Sequence, residues 1–359
     1  MKKLATWLTL ALGVGCLGGC ATTAEASPAQ TLRGFVLTTE GGTSGGPIRV
    51  RQLERETGSL GESQVAEPSQ LFFGDLVAHP KKPWIFATEG NQRVYSFRLD
   101  PKSGKLLEMD SLALSTRLVA GDQLLLTPSG QLLLLCQQDQ LTAMEVLADG
   151  TLLARTAWKI PGGGHLSHGV VDRSGQLAYV VDSQQGYIWG LRIEGTNLTG
   201  VSPQPVASLP GSNLRKLVVD ESNRFLFGLD DNADLLCGYT LGDNGTLASN
   251  GSKSLGSAAD QHTDMVIRER RLWVCEQGGQ RLKVFDFDES GTLSPVGNFG
   301  GGGARLSLAK GWPYLVVANH SGQPDLKSLD AQALKSFDQQ QTPKAVLDLE
   351  AVVFNSNLK

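Results

Sequence analysis

Two kinds of apolar segment alternate along the chain. Continuous apolar runs lie at residues 85–87, 133–135, 178–180, 225–227, 272–274 and 315–317. Segments in which apolar and polar residues alternate follow them, as at 94–99 and 282–287. Short continuous runs predict strands buried on both faces, and alternation predicts half-buried strands. Residues 326–337 are the one segment with a helical spacing, so the sequence predicts an all-β fold.

A glycine turn recurs between these predicted strands. Each turn is a polar residue followed by glycine and, two or three residues later, by leucine; the glycines are Gly58, Gly104, Gly150, Gly195, Gly245 and Gly291. Their successive spacings are 46, 46, 45, 50 and 46 residues. A constant period of this length is typical of a repeat architecture, and glycine suits the turns because it adopts positive φ without strain.

The period also predicts the number of repeats. Residues 33–359 have room for seven units of about 46 residues, each with about four strands. Such repeats predict a seven-bladed β-propeller with four-stranded antiparallel blades around a central channel. A seventh turn is expected near residue 337, where no glycine occurs, and the strand at 345–354 is expected to complete the first blade.

Composition and charge narrow the class of protein. The chain has 43 glycines in 359 residues, 19% charged residues and a formal net charge of −4. This composition excludes a disordered chain and a collagen, and the acidic balance argues against nucleic acid as a partner.

The first residues predict export and a lipid anchor. Lys2 and Lys3 precede an apolar run at 4–15, which is too short to span a bilayer. The following 17–20 segment, Leu-Gly-Gly-Cys, resembles a bacterial lipobox, which implies a signal peptide at 1–19, lipidation of Cys20 and a tether at 20–32. Ala21 then favours the periplasmic face of the outer membrane. A simple signal peptide cleaved after Ala26 is the alternative.

Candidate chemistry lies before the continuous apolar runs, in segments expected to be loops around the channel. Charged and histidine residues occupy equivalent places from blade to blade: His165, His168, Arg215, Lys216, Asp264 and Arg305. Two arginines near a histidine and a carboxylate suit an anionic substrate, because guanidinium binds carboxylate or phosphate with two hydrogen bonds. No residue set has the spacing of a metal site, and neither a metal nor a cofactor is predicted.

The repeat and several of its motifs resemble the seven-bladed lactonase family, typified by the 6-phosphogluconolactonases of the cycloisomerase 2 type. The similarity runs from about residue 35 to 319 and includes His79-Pro80 and Ala318-Asn319. Arg215 lies twelve residues before Phe227, as in the family.

Two further segments match the family, and two positions differ from it. Residues 163–168 match its histidine loop, and Asp264 and Arg305 match its later polar positions. Lys216 stands where the family has histidine, and Asp230-Asp231 stand where it has Asn-Glu.

The resemblance implies hydrolytic opening of a sugar lactone. His168 or His165 would activate water, and Asp264 would orient the histidine or an arginine. Arg215 and Arg305 would hold the anion of the substrate, with Lys216 and Asp231 at the same site. The partner is then a small lactone or anionic sugar. The alternative is a non-catalytic propeller lipoprotein that binds a protein or a glycan in the cell envelope.

Overall fold

The computed structural model describes most of the chain beyond residue 31. The described ranges are 32–40, 46–66, 71–90, 92–115, 123–202, 204–208, 214–256, 262–276, 281–300, 305–308, 312, 314–318, 326–330, 336–340 and 346–355, and within the last three only the backbone is described. The predicted signal peptide, Cys20 and the tether up to residue 31 lie outside these ranges. Thr31–Lys359 form one compact unit.

The strands in the described ranges form seven antiparallel sheets, six with four strands and one with an additional short strand. The first three sheets contain β1 (Leu32–Glu40), β2 (Ile48–Leu53), β3 (Gln64–Val65) and the last strand β29 (Val346–Asn355); β4 (Phe73–Ala78), β5 (Trp84–Glu89), β6 (Arg93–Leu99) and β7 (Leu106–Ala113); and β8 (Gln123–Leu126), β9 (Leu132–Gln137), β10 (Gln140–Val146) and β11 (Leu152–Lys159).

The other four sheets follow in chain order. They contain β12 (Leu166–Val171), β13 (Leu177–Asp182), β14 (Tyr187–Glu194), β15 (Asn197–Gly200) and β16 (Ala207–Ser208); β17 (Leu214–Val219), β18 (Phe225–Asp230), β19 (Leu235–Leu241) and β20 (Leu247–Ser254); β21 (His262–Arg268), β22 (Arg271–Glu276), β23 (Arg281–Phe287) and β24 (Leu293–Gly300); and β25 (Arg305–Leu308), β26 (Tyr314–Ala318), β27 (Leu326–Asp330) and β28 (Ser336–Gln340).

The innermost strands of the sheets lie side by side around a central axis. They contact one another in the order β29, β4, β8, β12, β17, β21 and β25, and β25 returns to β29. The chain is therefore an all-β propeller with four-stranded antiparallel blades, which confirms the predicted fold class. We call the end at which the innermost strands begin the upper face, and the opposite end the lower face.

The two ends of the described chain meet in one sheet. Strand β29 pairs with β1 along its length, with Val36 opposite Ala351. This pairing confirms the prediction that the C-terminal strand completes the first blade. Because the last strand fills the innermost place of the first sheet, the ring closes without an exposed strand edge.

The second strand of each sheet carries the core. Strands β5, β9, β13 and β18 are buried at every residue, as their continuous apolar sequences predict. Their side chains pack against those of the neighbouring sheet, as Phe227 of β18 does in one cluster with Met265 and Val274 of the next sheet. The core therefore lies between the sheets and holds them around the axis.

The recurring glycines make the turns between the third and fourth strands, on the lower face. All six have positive φ, from 63° at Gly195 to 92° at Gly150. Residues with a side chain rarely adopt this conformation, which explains why glycine recurs with the period of the blades.

Two local predictions near the C-terminus are wrong. The segment with helical spacing forms strands β27 and β28, and β28 occupies the position where a seventh turn is expected. Pairing with β26 places this segment in a sheet, and tertiary context overrides a weak periodic signal. Among the described residues, no helix has the length and apolar character needed to cross a membrane.

Candidate functional site

Six innermost strands bring one equivalent residue each to the upper face. We call these residues the channel ring: Asp75, Gln123, His168, Lys216, Asp264 and Arg305. The register shows their equivalence, because the residue after each of them pairs with the same place in its second strand: Leu76 with Ala87, Leu124 with Leu135, Gly169 with Val180, Leu217 with Gly228, Met265 with Val274 and Leu306 with Val317.

The predicted site residues in this ring lie on strands. His168, Lys216, Asp264 and Arg305 are all within innermost strands, so the prediction that they lie in loops is wrong. The reason is that the innermost strands are short and carry polar residues at their start, which hides them from a search for apolar runs.

A shift in register precedes the ring residue in four of the strands. It lies between Leu166 and His168 in β12 and between Leu214 and Lys216 in β17, and corresponding shifts occur at the starts of β4 and β21. Such bulges re-aim side chains and are common next to functional sites. The repeated irregularity marks the upper face as the place where the blades present side chains.

Three ring residues are acceptors that join neighbouring blades. Asp75 Oδ2 accepts from the backbone N–H of Leu124 at 2.6 Å. Gln123 Oε1 accepts from that of Gly169 at 2.9 Å, and Asp264 Oδ2 accepts from that of Leu306 at 2.9 Å. Each bond runs from one innermost strand to the next, so these three side chains have a structural role as interblade links.

Lysine and arginine have no acceptor atom and cannot make this link. Lys216 nevertheless extends toward the next strand, where its Nζ lies 3.3 Å from Asp264 Oδ1. The Lys216 side chain is 29% exposed and that of Asp264 is 5% exposed. Asp264 therefore holds both the neighbouring backbone and the ammonium group, and the ammonium group stays accessible to solvent.

His168, Lys216, Asp264 and Arg305 belong to four consecutive innermost strands, β12, β17, β21 and β25. The structure therefore brings these four predicted site residues to one side of the ring. His168, Lys216 and Arg305 are partly exposed. This side can offer an imidazole, two cations and a buried carboxylate to one ligand.

His165 lies three residues before the ring position, in the loop that leads into β12. Its backbone N–H donates to Asp182 Oδ1 at 3.2 Å, and its Nδ1 lies 3.3 Å from the hydroxyl of Ser183. These contacts hold the imidazole beside the β13–β14 turn.

Arg215 lies in the bulge just before Lys216, and its side chain is outside the described part of the structure. Asp231 lies in the β18–β19 turn, where its Oδ1 accepts from the backbone N–H of His262 at 2.7 Å. Asp231, Asp234 and His262 place their ligand-type atoms within 4.8 Å of one another. The structure thus groups Asp231 with His262 on the upper face.

The sequence analysis missed two ring residues, Asp75 and Gln123. They lie 48 residues apart, the same separation as Lys216 and Asp264. Extending that spacing back through the first repeats would have found both. The analysis followed charge rather than position, and one of the two residues is uncharged.

Comparisons with known proteins give the fold a context. The sequence matches no family, and it matches no curated protein. Solved structures do resemble the fold. A protein from Bacteroides fragilis, provisionally named as a 6-phosphogluconolactonase, superposes with a TM-score of 0.76 at 18% identity, over 91% of this chain and 99% of that one.

Two other structures give the same picture. The periplasmic gluconolactonase PpgL of Pseudomonas aeruginosa has a TM-score of 0.73 at 21% identity, covering 90% of this chain and 99% of that one. A protein from Bacteroides uniformis, provisionally named as a 6-phosphogluconolactonase, has a TM-score of 0.73 at 16% identity, covering 90% and 100%. At these identities the likeness shows the propeller fold.

Proposed function

We propose that the chain is a seven-bladed lactonase-like propeller that hydrolyses a sugar lactone at the channel ring. The observation that carries the proposal is the position of Lys216 and Arg305. They occupy ring places whose equivalents in other blades are interblade acceptors, a role that neither cation can perform. The names of the superposing structures support a lactone as the substrate class.

The proposed reaction needs a base, a site for negative charge and water. The imidazole of His168, in its neutral form, takes a proton from water as the oxygen attacks the lactone carbonyl. The carbonyl oxygen becomes an oxyanion, which Lys216 or Arg305 stabilises. Collapse of the tetrahedral species breaks the ester bond, and His168 returns the proton to the ring oxygen that leaves. The product is an open-chain hydroxy acid.

Asp264 serves this reaction as a positioning residue. It binds the Lys216 ammonium group at 3.3 Å and the Leu306 backbone at 2.9 Å. Leu306 directly follows Arg305, so one carboxylate fixes the strands that carry both cations. Arg215 adds positive charge next to Lys216 in the sequence. The resulting site favours a lactone that carries an anionic group or forms one on opening.

An aromatic side chain lies close to the ring in the chain. Phe72 comes just before β4 and is 54% exposed, an unusual exposure for a large apolar residue. It stands three residues before Asp75, the place that His165 holds relative to His168. An exposed ring at the rim of a site can stack on the apolar face of a sugar.

The lactonase proposal is tested by pH-stat titration of acid release from neutral and anionic aldonolactones. Lys216→Ala is expected to lower kcat/KM by about a hundredfold or more through loss of oxyanion stabilisation. Lys253→Ala, which removes an exposed lysine from β20, is the matched control and is expected to keep full activity. Absence of turnover in the folded wild type would reject the lactonase and leave the non-catalytic binding propeller.

The cellular location is a separate part of the proposal. A lipid on Cys20 would anchor the propeller to the cell envelope, at the periplasmic face of the outer membrane. Mass spectrometry of the protein from a bacterial host tests this. Cys20→Ser is expected to abolish the added mass of the acyl chains, and Cys16→Ser is expected to leave it unchanged. Cleavage after Ala26 without lipid would overturn the anchor.

A further inference from the structure

A second polar cluster on the upper face is separate from the channel ring. Asp231 and Asp234 belong to the β18–β19 turn, and His262 begins β21 in the next sheet. One ligand-type atom from each residue lies within 4.8 Å of the other two. Two carboxylates and an imidazole at this separation match the donor set of many divalent metal sites.

His262 is the residue that needs explanation. Its side chain is completely buried, and neither ring nitrogen has a hydrogen-bond partner. Its Nδ1 points toward Asp234 Oδ1 at 3.7 Å, which is too long for a hydrogen bond, and that oxygen also has no hydrogen-bond partner. Buried polar atoms without partners are costly, so they usually mark an ion or a water.

The surroundings favour a cation at this position. Buried Glu276 pairs with Lys283 at 2.8 Å and with Arg281 at 2.6 Å. These two cations and the three carboxylates of Asp231, Asp234 and Glu276 leave one net negative charge. Burial, with Lys283 nearby, holds the pKa of His262 below its ordinary value. The imidazole is therefore neutral near pH 7, which is the form that binds a metal.

We propose that Asp231, Asp234 and His262 bind one divalent transition-metal ion of the Zn²⁺ type. The tetrahedral zinc geometry places neighbouring ligand atoms roughly 3.4 Å apart, close to the separation between His262 Nδ1 and Asp234 Oδ1. The ion satisfies the buried atoms that the protein leaves unpaired. Sequence spacing hides the site, because His262 lies 28 residues after Asp234.

The site joins two neighbouring sheets. Asp231 and Asp234 belong to the sheet that also contains β17 and Lys216, and His262 lies two residues before Asp264 on β21. A bound ion therefore fixes the two strands that carry the Lys216–Asp264 pair. Its role is structural, and its presence does not depend on the lactonase reaction.

The test uses the purified chain, stripped with a chelator and titrated with Zn²⁺ by isothermal titration calorimetry at pH 7.5. One equivalent is expected to bind and to raise the thermal unfolding temperature. Asp234→Asn is expected to weaken binding at least about tenfold. Asp243→Asn, an exposed acid in the β19–β20 turn of the same sheet, is the matched control and is expected to bind as the wild type does.

His262→Gln is a second variant with the same expected loss, and Asp234→Asn decides alone if that variant does not fold. Absence of stoichiometric Zn²⁺ binding to the wild type would overturn the site, as would equal binding by Asp234→Asn and the wild type. A parallel titration with Ca²⁺ tests the metal class, since binding of Ca²⁺ without Zn²⁺ would overturn the transition-metal assignment.

Discussion

The two faces of the propeller use the same residue types in different ways. On the lower face, Asp172 Oδ1 accepts from the backbone N–H groups of Gln176 and Leu177, both at 2.9 Å within its own turn. Asp220 makes the same kind of turn in the next blade. On the upper face, Asp264 instead binds the backbone of the next blade and a partly exposed lysine. The first arrangement closes a turn, and the second positions a cation.

The two histidines with opposite surroundings show the same contrast. On the lower face, His79 is 5% exposed and its Nδ1 accepts from the backbone N–H groups of Lys81 and Lys82, both at 3.0 Å. On the upper face, His168 is a partly exposed member of the channel ring. Residue type alone therefore does not identify a site. Its strand position and the direction of its contacts do.

The strongest test of this contrast compares the two histidines by activity. His168→Ala is expected to lower kcat for lactone hydrolysis by about a hundredfold to ten-thousandfold, because the general base is lost. His79→Asn is expected to leave kcat unchanged at a temperature where both variants are folded. Steady-state kinetics by pH-stat gives both values. Equal losses in the two variants would remove the distinction between the faces.

A second test compares two buried aspartates. Asp264→Ala is expected to lower the free energy of unfolding by about 2 kcal/mol, because a backbone N–H and Lys216 lose their partner. Asp172→Ala is expected to cost about as much, since two turn N–H groups lose their acceptor. Urea unfolding measures both. Only Asp264→Ala is expected to reduce kcat/KM as well, and retained activity in that variant would contradict its positioning role.

The lower-face histidine also predicts a pH dependence of stability. Burial, then Lys82 and Lys81, lower the pKa of His79 from 6.5 to about 4. The unfolded chain therefore gains a proton near pH 6.5, while the folded chain resists it until about pH 4. Stability is full above pH 6.5 and falls as the pH decreases, with a loss of about 2 kcal/mol by pH 5.

Urea unfolding at pH 7.5 and pH 5 tests this, with His79→Asn as the control. Asparagine keeps an acceptor oxygen but does not titrate, so the difference in unfolding free energy between the two pH values is expected to shrink by about 2 kcal/mol. The same difference in both proteins would show that His79 titrates freely in the folded state.

The smallest expected effects concern the glycine turns of the lower face. Gly195 has a φ of 63° and nothing within 4 Å of an added Cβ, so Gly195→Ala is expected to cost about 1 kcal/mol from backbone strain alone. An added Cβ at Gly291, with a φ of 80°, would lie 2.6 Å from ring atoms of Phe225. Gly291→Ala is therefore expected to cost more, and thermal unfolding that shows equal costs would contradict the packing argument.

The sequence predicts the parts of the fold that repeat with a strong local signal. The glycines at positive φ and the continuous apolar second strands recur in nearly every blade, and these elements are where the pattern places them. The innermost strands are harder to recognise, since β8 and β25 have only four residues and begin with Gln123 and Arg305. Segment 326–340 has neither signal, and pairing with β26 determines its structure.

The site is predicted less completely, for a physical reason. Polar residues near the start of an innermost strand stand out in the sequence, which is why His168, Lys216, Asp264 and Arg305 were found. The partner of each residue depends on the next blade, about 48 residues away, and no local pattern reports it. The cluster of Asp231, Asp234 and His262 depends wholly on such a contact between blades.

The central claim is that the channel ring of the upper face binds the ligand. The most direct measurement is a crystal structure of the protein with an aldonate, the open-chain product of the proposed reaction. The account predicts the carboxylate of the aldonate beside Lys216 and Arg305, with His168 within hydrogen-bonding distance. An aldonate bound at the lower face, or at a site that Lys216→Ala leaves unchanged, would contradict it.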